Sequence, residues 1–121
     1  MEIGSLGGNM RTFNIKEEYS ERFDEIRKAS MEQSFYKYGP VKANYGVNGN
    51  VNAIESLKRY LKRYEETGNT EFLTDVANFA MIEFMCPSIK GARYARTSSE
   101  ESPGLVGMSV QEIKDFKNEI T

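Results

Sequence analysis

The chain has 121 residues, and 39% of them are hydrophobic, which is enough apolar material for the core of one domain. The 16 Lys and Arg residues against 18 Asp and Glu residues give a net charge of -2, so the sequence indicates no affinity for duplex nucleic acid or an anionic membrane. The absence of His rules out His-dependent catalysis and His–zinc sites. The single Cys rules out an internal disulfide.

Residues 1–12 are rich in Gly and carry no periodic pattern, so we predict a flexible leader followed by a single helical domain over residues 13–121. The first residues lack the basic and long apolar segments of a secretory signal, and no apolar run approaches the roughly 20 residues that span a bilayer. We therefore expect a cytoplasmic protein with no membrane partner, located in the host cytoplasm if a phage encodes it.

The first helix is predicted to begin at Asn14, where Glu17 stands three residues later as in a capping box. Apolar residues then recur every three to four positions until Gly39 and Pro40 end the helix. Residues 41–50 contain two Gly and three Asn, a composition that is typical of a loop.

A second helix is predicted from Asn52, again with a capping pattern, to the C-terminal stop at Gly68. A third helix, capped by Asn69 or Thr70, ends before Pro87 and is apolar almost all round, which predicts a central position. The short connection at Gly68 makes the second and third helices antiparallel neighbours.

A Ser-rich and charged loop over residues 88–107 precedes a short fourth helix that begins at Ser109 and carries Val110, Ile113, Phe116 and Ile120. The predicted fold is all-α, a compact bundle of about four helices with a long loop between the third and the fourth.

The third helix carries a polar stripe of Glu71, Thr74, Asp75 and Asn78 on one face. Glu71 and Asp75 are four residues apart and are our candidate ligands for Mg²⁺, with Asn78 as a further ligand contact. The alternative is that the stripe is the solvent edge of the helix or pairs with cations of the second helix.

The loop after the third helix combines cations, hydroxyls and an aromatic ring within ten residues. Arginine forks and hydroxyls bind phosphate, and a tyrosine stacks on a base. The candidate ligand-binding residues are Lys90, Arg93, Tyr94, Arg96, Thr97 and Ser98. The alternative is a solvated connection without a ligand.

Two further groups of residues have open roles. Lys58, Arg59, Lys62 and Arg63 form a basic patch interleaved with Glu, which favours a solvated helix face. The tyrosines around Gly39 and Pro40 either line a pocket or seal the edge of the core: Tyr36, Tyr38 and Tyr45.

Two segments, Lys37-Tyr38-Gly39 and Asp75-Val76-Ala77-Asn78-Phe79-Ala80, give the chain a resemblance to the all-α nucleoside triphosphate pyrophosphohydrolase (MazG-like) superfamily. The stretch from Thr67-Gly68-Asn69-Thr70-Glu71-Phe72-Leu73 through Ile82-Glu83-Phe84-Met85, with the later Ser102-Pro103-Gly104, also resembles a family of small uncharacterised proteins of phages and bacteria. The resemblance implies Mg²⁺ held by an EExxE helix and a later ExxD helix. Here Glu17, Glu18 and Glu21 match the first string, and Glu71 with Asp75 approximates the second as ExxxD.

Three functions stay open. The first is a binding module, expected as a homo-oligomer, that captures a nucleotide or nucleotide-derived ligand without catalysis; in a phage it would sequester an immune nucleotide signal or block a host defence protein. The second is a Mg²⁺-dependent pyrophosphohydrolase in which Glu55, Glu66 or a Glu of the first helix completes the site. The third is a protein-interaction module. The cofactor is accordingly either none or Mg²⁺.

Overall fold

A computed structural model describes residues 11–98, 100, 101 and 114. The chain divides into two units, residues 1–91 and residues 92–121, and we describe each separately. The described part of the first unit contains helices and no strand, which confirms the all-α class for that part. Its helices are α1 (Ile15–Glu18), α2 (Glu21–Tyr38), α3 (Val41–Asn44), α4 (Ala53–Thr67) and α5 (Glu71–Met85).

The predicted first helix is divided into two, because the chain offers two N-caps. The Asn14 side chain accepts a hydrogen bond from the backbone N–H of Lys16 and begins α1. Tyr19 is extended (φ -142°, ψ 149°), and the Ser20 hydroxyl then accepts from the backbone N–H of Phe23 and begins α2. The prediction of one continuous helix from Asn14 was therefore wrong.

The segment predicted as a loop over residues 41–50 begins with the single-turn helix α3. Gly39, with φ 88°, ends α2 in a conformation that few other residues adopt. The Asn44 side-chain amide donates to the main-chain carbonyl of Tyr38 at 3.0 Å, so a side chain of α3 satisfies the end of α2.

Helices α4 and α5 pack against each other along their lengths and form the main contact of the unit, which we call the α4–α5 hairpin. Asn52 caps α4 by accepting from the Glu55 N–H at 2.9 Å, and Gly68 ends it in the left-handed conformation (φ 71°). Thr70 occupies the N-cap position of α5, but the side chain that accepts from the Glu71 N–H, at 3.0 Å, is that of Asn69.

The polar stripe of α5 faces inward. Only small or polar residues and one large aliphatic residue are buried among the described residues of the hairpin: Ala53, Ser56, Thr74, Asn78 and Ile82. Phe84 and Met85, at the end of the same helix, are 70% and 51% exposed. The alternative that the stripe is a solvent edge is therefore wrong for Thr74 and Asn78, whereas Glu71 is exposed.

Helix α2 contacts α5 but buries none of its 18 residues. A polar network joins the two helices: the Asn78 side-chain amide donates to the main-chain carbonyl of Arg27 at 3.2 Å, and the Arg27 guanidinium donates to the Asn78 Oδ1 at 3.4 Å. Asp24 accepts from Arg27 at 2.9 Å and from the Tyr19 hydroxyl. These hydrogen bonds fix α2 on α5 with little apolar burial.

In the second unit, residues 92–98 form neither helix nor strand. Beyond residue 98, the structure describes residues 100, 101 and 114, of which Lys114 is helical. The rest of the predicted loop and of the predicted fourth helix lies outside the described residues. The bundle of four helices, the leader over residues 1–12 and the single domain over residues 13–121 stay predictions. No helix of the described part is both long and apolar enough to cross a membrane.

Candidate functional site

A cleft of about 820 Å³ lies between α2, α3, α4 and α5, all within the first unit. Pockets for small molecules commonly have volumes of roughly 300–1,000 Å³ and mostly apolar walls. Five aromatic side chains line this one, which we call the aromatic cleft: Phe35, Tyr38, Tyr45, Tyr60 and Phe79.

Tyr60 is the centre of the aromatic wall. Its ring meets the ring of Phe79 edge-on, with centroids 5.3 Å apart and planes at 65°, and meets the ring of Phe72 at 5.8 Å. The Arg63 guanidinium lies 4.9 Å from the Tyr60 ring centroid, in range of a cation–π interaction. Contacts on several sides hold Tyr60 in place, so this wall is formed before any ligand arrives.

Tyr45 directly follows α3, and its backbone packs closely against Gly49. A Cβ at Gly49 would lie 2.5 Å from the carbonyl oxygen of Asn44 and 2.6 Å from the carbonyl carbon of Tyr45, so only Gly fits against this backbone. Burial, and secondarily Tyr60, raises the pKa of the Tyr45 hydroxyl, which stays protonated as a hydrogen-bond donor at neutral pH.

Among the described residues, three charged side chains line the aromatic cleft: the cation Arg59 and the carboxylates Asp75 and Glu32. Burial, and secondarily the charge of Glu71, raises the pKa of Asp75 above its ordinary value. Within the described part of the chain, Asp75 and Arg59 form no hydrogen bond or ion pair, with each other or with any other residue. Their bonding capacity is available to a ligand.

Asn78 lines the aromatic cleft but is 5% exposed, and Arg27 engages both ends of its amide. Its described hydrogen bonds therefore position α2 on α5. The predicted ligand contact through Asn78 stays a prediction.

The charge of Glu71 contributes to the raised pKa of Asp75, but the two side chains line different clefts. Glu71 lines a second cleft, of about 470 Å³, with Ser20 and Arg22. No group of three or more Cys, Asp or Glu side chains that could hold a metal ion occurs among the residues the structure describes. The predicted Mg²⁺ site at Glu71 and Asp75 stays a prediction, with two candidate ligands and no described third.

The predicted phosphate-binding loop is exposed wherever it is described. Its candidate residues are Lys90 at the end of the first unit and, in the second unit, Arg93, Tyr94, Arg96, Thr97 and Ser98. The Ser98 hydroxyl accepts from the Glu101 N–H at 3.2 Å, so it already serves a local turn. Ligand binding by these residues stays a prediction.

Sequence reasoning identified part of the aromatic cleft. Of the three tyrosines expected at a pocket or core edge, Tyr38 and Tyr45 line it. Arg59, Tyr60 and Phe79 were not among the predicted site residues, because a charged helix face and an apolar helix both look like ordinary structure. The available signal was that Asp75 and Phe79, four residues apart, share one face of α5.

We compared the chain with protein-family models, with curated proteins and with solved structures. None of the three comparisons found a match. The residues of the aromatic cleft are therefore the basis on which a function is proposed.

Proposed function

We propose that this protein is a binding module for a nucleotide or a nucleotide-derived ligand, which it holds in the aromatic cleft without chemical conversion. The observation that carries the proposal is a cleft of about 820 Å³ that five aromatic side chains line beside the cation of Arg59 and the carboxylates of Asp75 and Glu32. Sequestration of a nucleotide signal is a function of this kind.

The aromatic walls favour a planar ring as the ligand. Stacking of a base on aromatic side chains contributes on the order of 1–3 kcal/mol per base. Tyr60 and Phe79 form a preorganised wall on the hairpin, and Phe35 and Tyr38 reach the cleft from α2 while remaining 51% and 72% exposed. A ring inserted between these walls contacts both.

Arg59 supplies the charge that a phosphate requires. It lies on the exposed face of α4 and lines the aromatic cleft, so its guanidinium is reachable from solvent. A guanidinium donates forked hydrogen bonds to phosphate oxygens. The basic patch predicted as a solvated helix face thus contributes one member to the cleft.

Binding is favoured over hydrolysis because the described carboxylates do not converge. Glu71 and Asp75 line different clefts; Glu32 lines the cleft of Asp75, but no group of three acidic side chains that could hold a metal ion occurs in the described part of the chain. Pyrophosphohydrolysis through a Mg²⁺ ion held by several carboxylates remains the alternative, and the assay below tests it directly.

The experiment is a calorimetric titration with nucleoside monophosphates and the corresponding nucleosides, with and without Mg²⁺, followed by chromatography of the recovered ligand. We expect the monophosphates to bind more tightly than the nucleosides and to be recovered unchanged. Triphosphates incubated with Mg²⁺ would release pyrophosphate only if the alternative function is correct. No binding by any nucleotide would refute the proposal.

Two variants with matched controls locate the site. Arg59→Ala should reduce the advantage of monophosphates over nucleosides by about 10- to 100-fold, since a hydrogen bond to a charged group contributes about 1.5–3 kcal/mol. Lys62→Ala removes a cation of the same helix that does not line the cleft, and it should change nothing. Arg93→Ala with Arg96→Ala tests the loop separately; a loss there instead would move the phosphate site to the loop.

A protein-interaction function is the second candidate, because large apolar side chains are exposed on α2 and α5. Tyr36 is 77% exposed and Phe84 is 70% exposed. Sedimentation equilibrium of the full chain tests the expected homo-oligomer. A monomer at all concentrations would leave an unlike protein as the partner of this surface.

A further inference from the structure

Asp75 is an acceptor that lacks a described donor. Its carboxylate lines the aromatic cleft, and within the described part of the chain no hydrogen bond or ion pair reaches it. Removing a carboxylate from water without a donor is unfavourable, and burial accordingly raises the pKa of Asp75. Asp75 is half-buried, and a ligand that brings N–H donors supplies hydrogen bonds that no described residue supplies.

The neighbours of Asp75 restrict the shape of that ligand. Phe79 lies one helical turn further along the same face of α5, and its ring contacts the ring of Tyr60 at 5.3 Å between centroids. Both rings line the same cleft as Asp75. The N–H donors of a planar ring lie in the plane of that ring, so a ligand stacked on the Tyr60 or the Phe79 ring hydrogen-bonds to the carboxylate only through its edge.

The carboxylate distinguishes among the bases by their edges. Guanine has two adjacent donors on one edge, the ring N1–H and the exocyclic amino group, and the two oxygens of a carboxylate accept both at once. Adenine and cytosine place one amino donor beside a ring acceptor, which repels the second oxygen. Uracil and thymine have one N–H between two carbonyl oxygens, so a carbonyl oxygen of the base repels the second oxygen of the carboxylate.

We propose that Asp75 makes the aromatic cleft selective for guanine among the nucleobases, by accepting two hydrogen bonds from the edge of the base. This inference rests on the proposed nucleotide-binding function and deepens it from a nucleotide to a guanine nucleotide. In this arrangement the Arg59 guanidinium binds the phosphate, and the ring of Tyr60 or Phe79 stacks on the face of the base.

The test is a calorimetric titration of the full chain with GMP, AMP, IMP and XMP. GMP should bind at least about tenfold more tightly than AMP, since each charge-assisted hydrogen bond contributes about 1.5–3 kcal/mol. IMP lacks the exocyclic amino group and should fall between the two. These differences should disappear in Asp75→Asn.

Asp75→Asn should also gain affinity for XMP. An asparagine side chain accepts from the N1–H with its oxygen and donates with its amide to the additional carbonyl of xanthine. Glu65→Gln removes an exposed carboxylate of α4 that lines neither cleft, and it should keep the preference for GMP. Asp75→Glu retains the carboxylate and should also keep the preference, with weaker binding; far-UV circular dichroism checks the fold of each variant.

The outcomes separate the two proposals. Equal affinity for GMP and AMP, unchanged in Asp75→Asn, would overturn guanine selectivity while the nucleotide-binding function stands. Selectivity for GMP that survives in a folded Asp75→Asn variant would overturn the role of Asp75. Absence of binding by all four nucleotides would overturn both proposals.

Discussion

Replacement of Asn78 by Ala tests how α2 is held on α5. The Asn78 side chain is 5% exposed; it donates to the Arg27 carbonyl at 3.2 Å and accepts from the Arg27 guanidinium at 3.4 Å. A net contribution of about 1 kcal/mol for each bond, together with the loss of packing around a buried side chain, lowers the free energy of unfolding by roughly 1–3 kcal/mol. The longer bond to the guanidinium contributes the smaller part.

The assay is urea unfolding followed by far-UV circular dichroism, because the chain has no Trp. At a slope of about 2 kcal/mol per M of urea, a loss of roughly 1–3 kcal/mol lowers the unfolding midpoint by about 0.5–1.5 M, which is well above error. Asn48→Ala, at an exposed position, is the matched control and should stay within about 0.5 kcal/mol of the wild type.

A double-mutant cycle with Arg27→Ala isolates one of the two bonds. Truncation of Arg27 removes the guanidinium but leaves the main-chain carbonyl, so the coupling energy measures the side-chain bond alone, about 0.5–1 kcal/mol. Additive effects of the two truncations would mean that this bond contributes nothing. An Asn78→Ala variant as stable as the wild type would refute the account of α2 docking altogether.

Further predictions concern a helix cap and two carboxyl groups. Gly68→Ala should destabilise by about 1 kcal/mol in urea unfolding, because the residue that ends α4 has φ 71°; wild-type stability in this variant would show that the connection relaxes. Burial raises the pKa of Asp75 in the folded protein above its ordinary value of 3.8. Ionisation of Asp75 therefore lowers the free energy of unfolding as the pH rises from 3.8 through the pKa of the folded state. Asp75→Asn should have a higher Tm than the wild type at about pH 7 and the same Tm in acid. The hydrogen bond from Tyr19, and then Arg27, lowers the pKa of Asp24, so its stabilisation is complete above 3.8 and is lost as pH falls through the folded value; Asp24→Asn should have the lower Tm at about pH 7 and should match the wild type in strong acid. A pH-independent difference would contradict either assignment.

The helix boundaries that followed from local chemistry were predictable from the sequence. Asn52 and Gly68 act as cap and stop through hydrogen bonds within a few residues, which a pattern can show. The break at Tyr19 was not predicted, because Asn14 and Ser20 are both good N-caps and a pattern does not show that the chain uses both. Short helices such as α3 have too few residues to show a period.

The inward direction of the polar stripe could not be predicted from amphipathicity. Patterns assign apolar residues to the core, but Thr74 and Asn78 are buried because Thr74 bonds to the carbonyl of Glu71 and Asn78 bonds to Arg27, 51 residues away in the chain. Tyr60 and Phe79 belong to different helices, so their contact in the aromatic cleft depends on tertiary packing, which a local sequence pattern does not show. The stripe itself, and the tyrosines near Gly39, were visible beforehand.

The weak attachment of α2 gives an occupant of the aromatic cleft a second role. One wall of the cleft is α2 and the other is the α4–α5 hairpin, so a ligand of the proposed kind would bridge two parts of the protein, and no residue of α2 is fully buried. Such a ligand would fill the space that core side chains fill in a more closely packed domain. Occupancy and rigidity are then one equilibrium: a filled cleft resists proteolysis and amide exchange in α2, and a destabilised α2 weakens affinity by the same free energy.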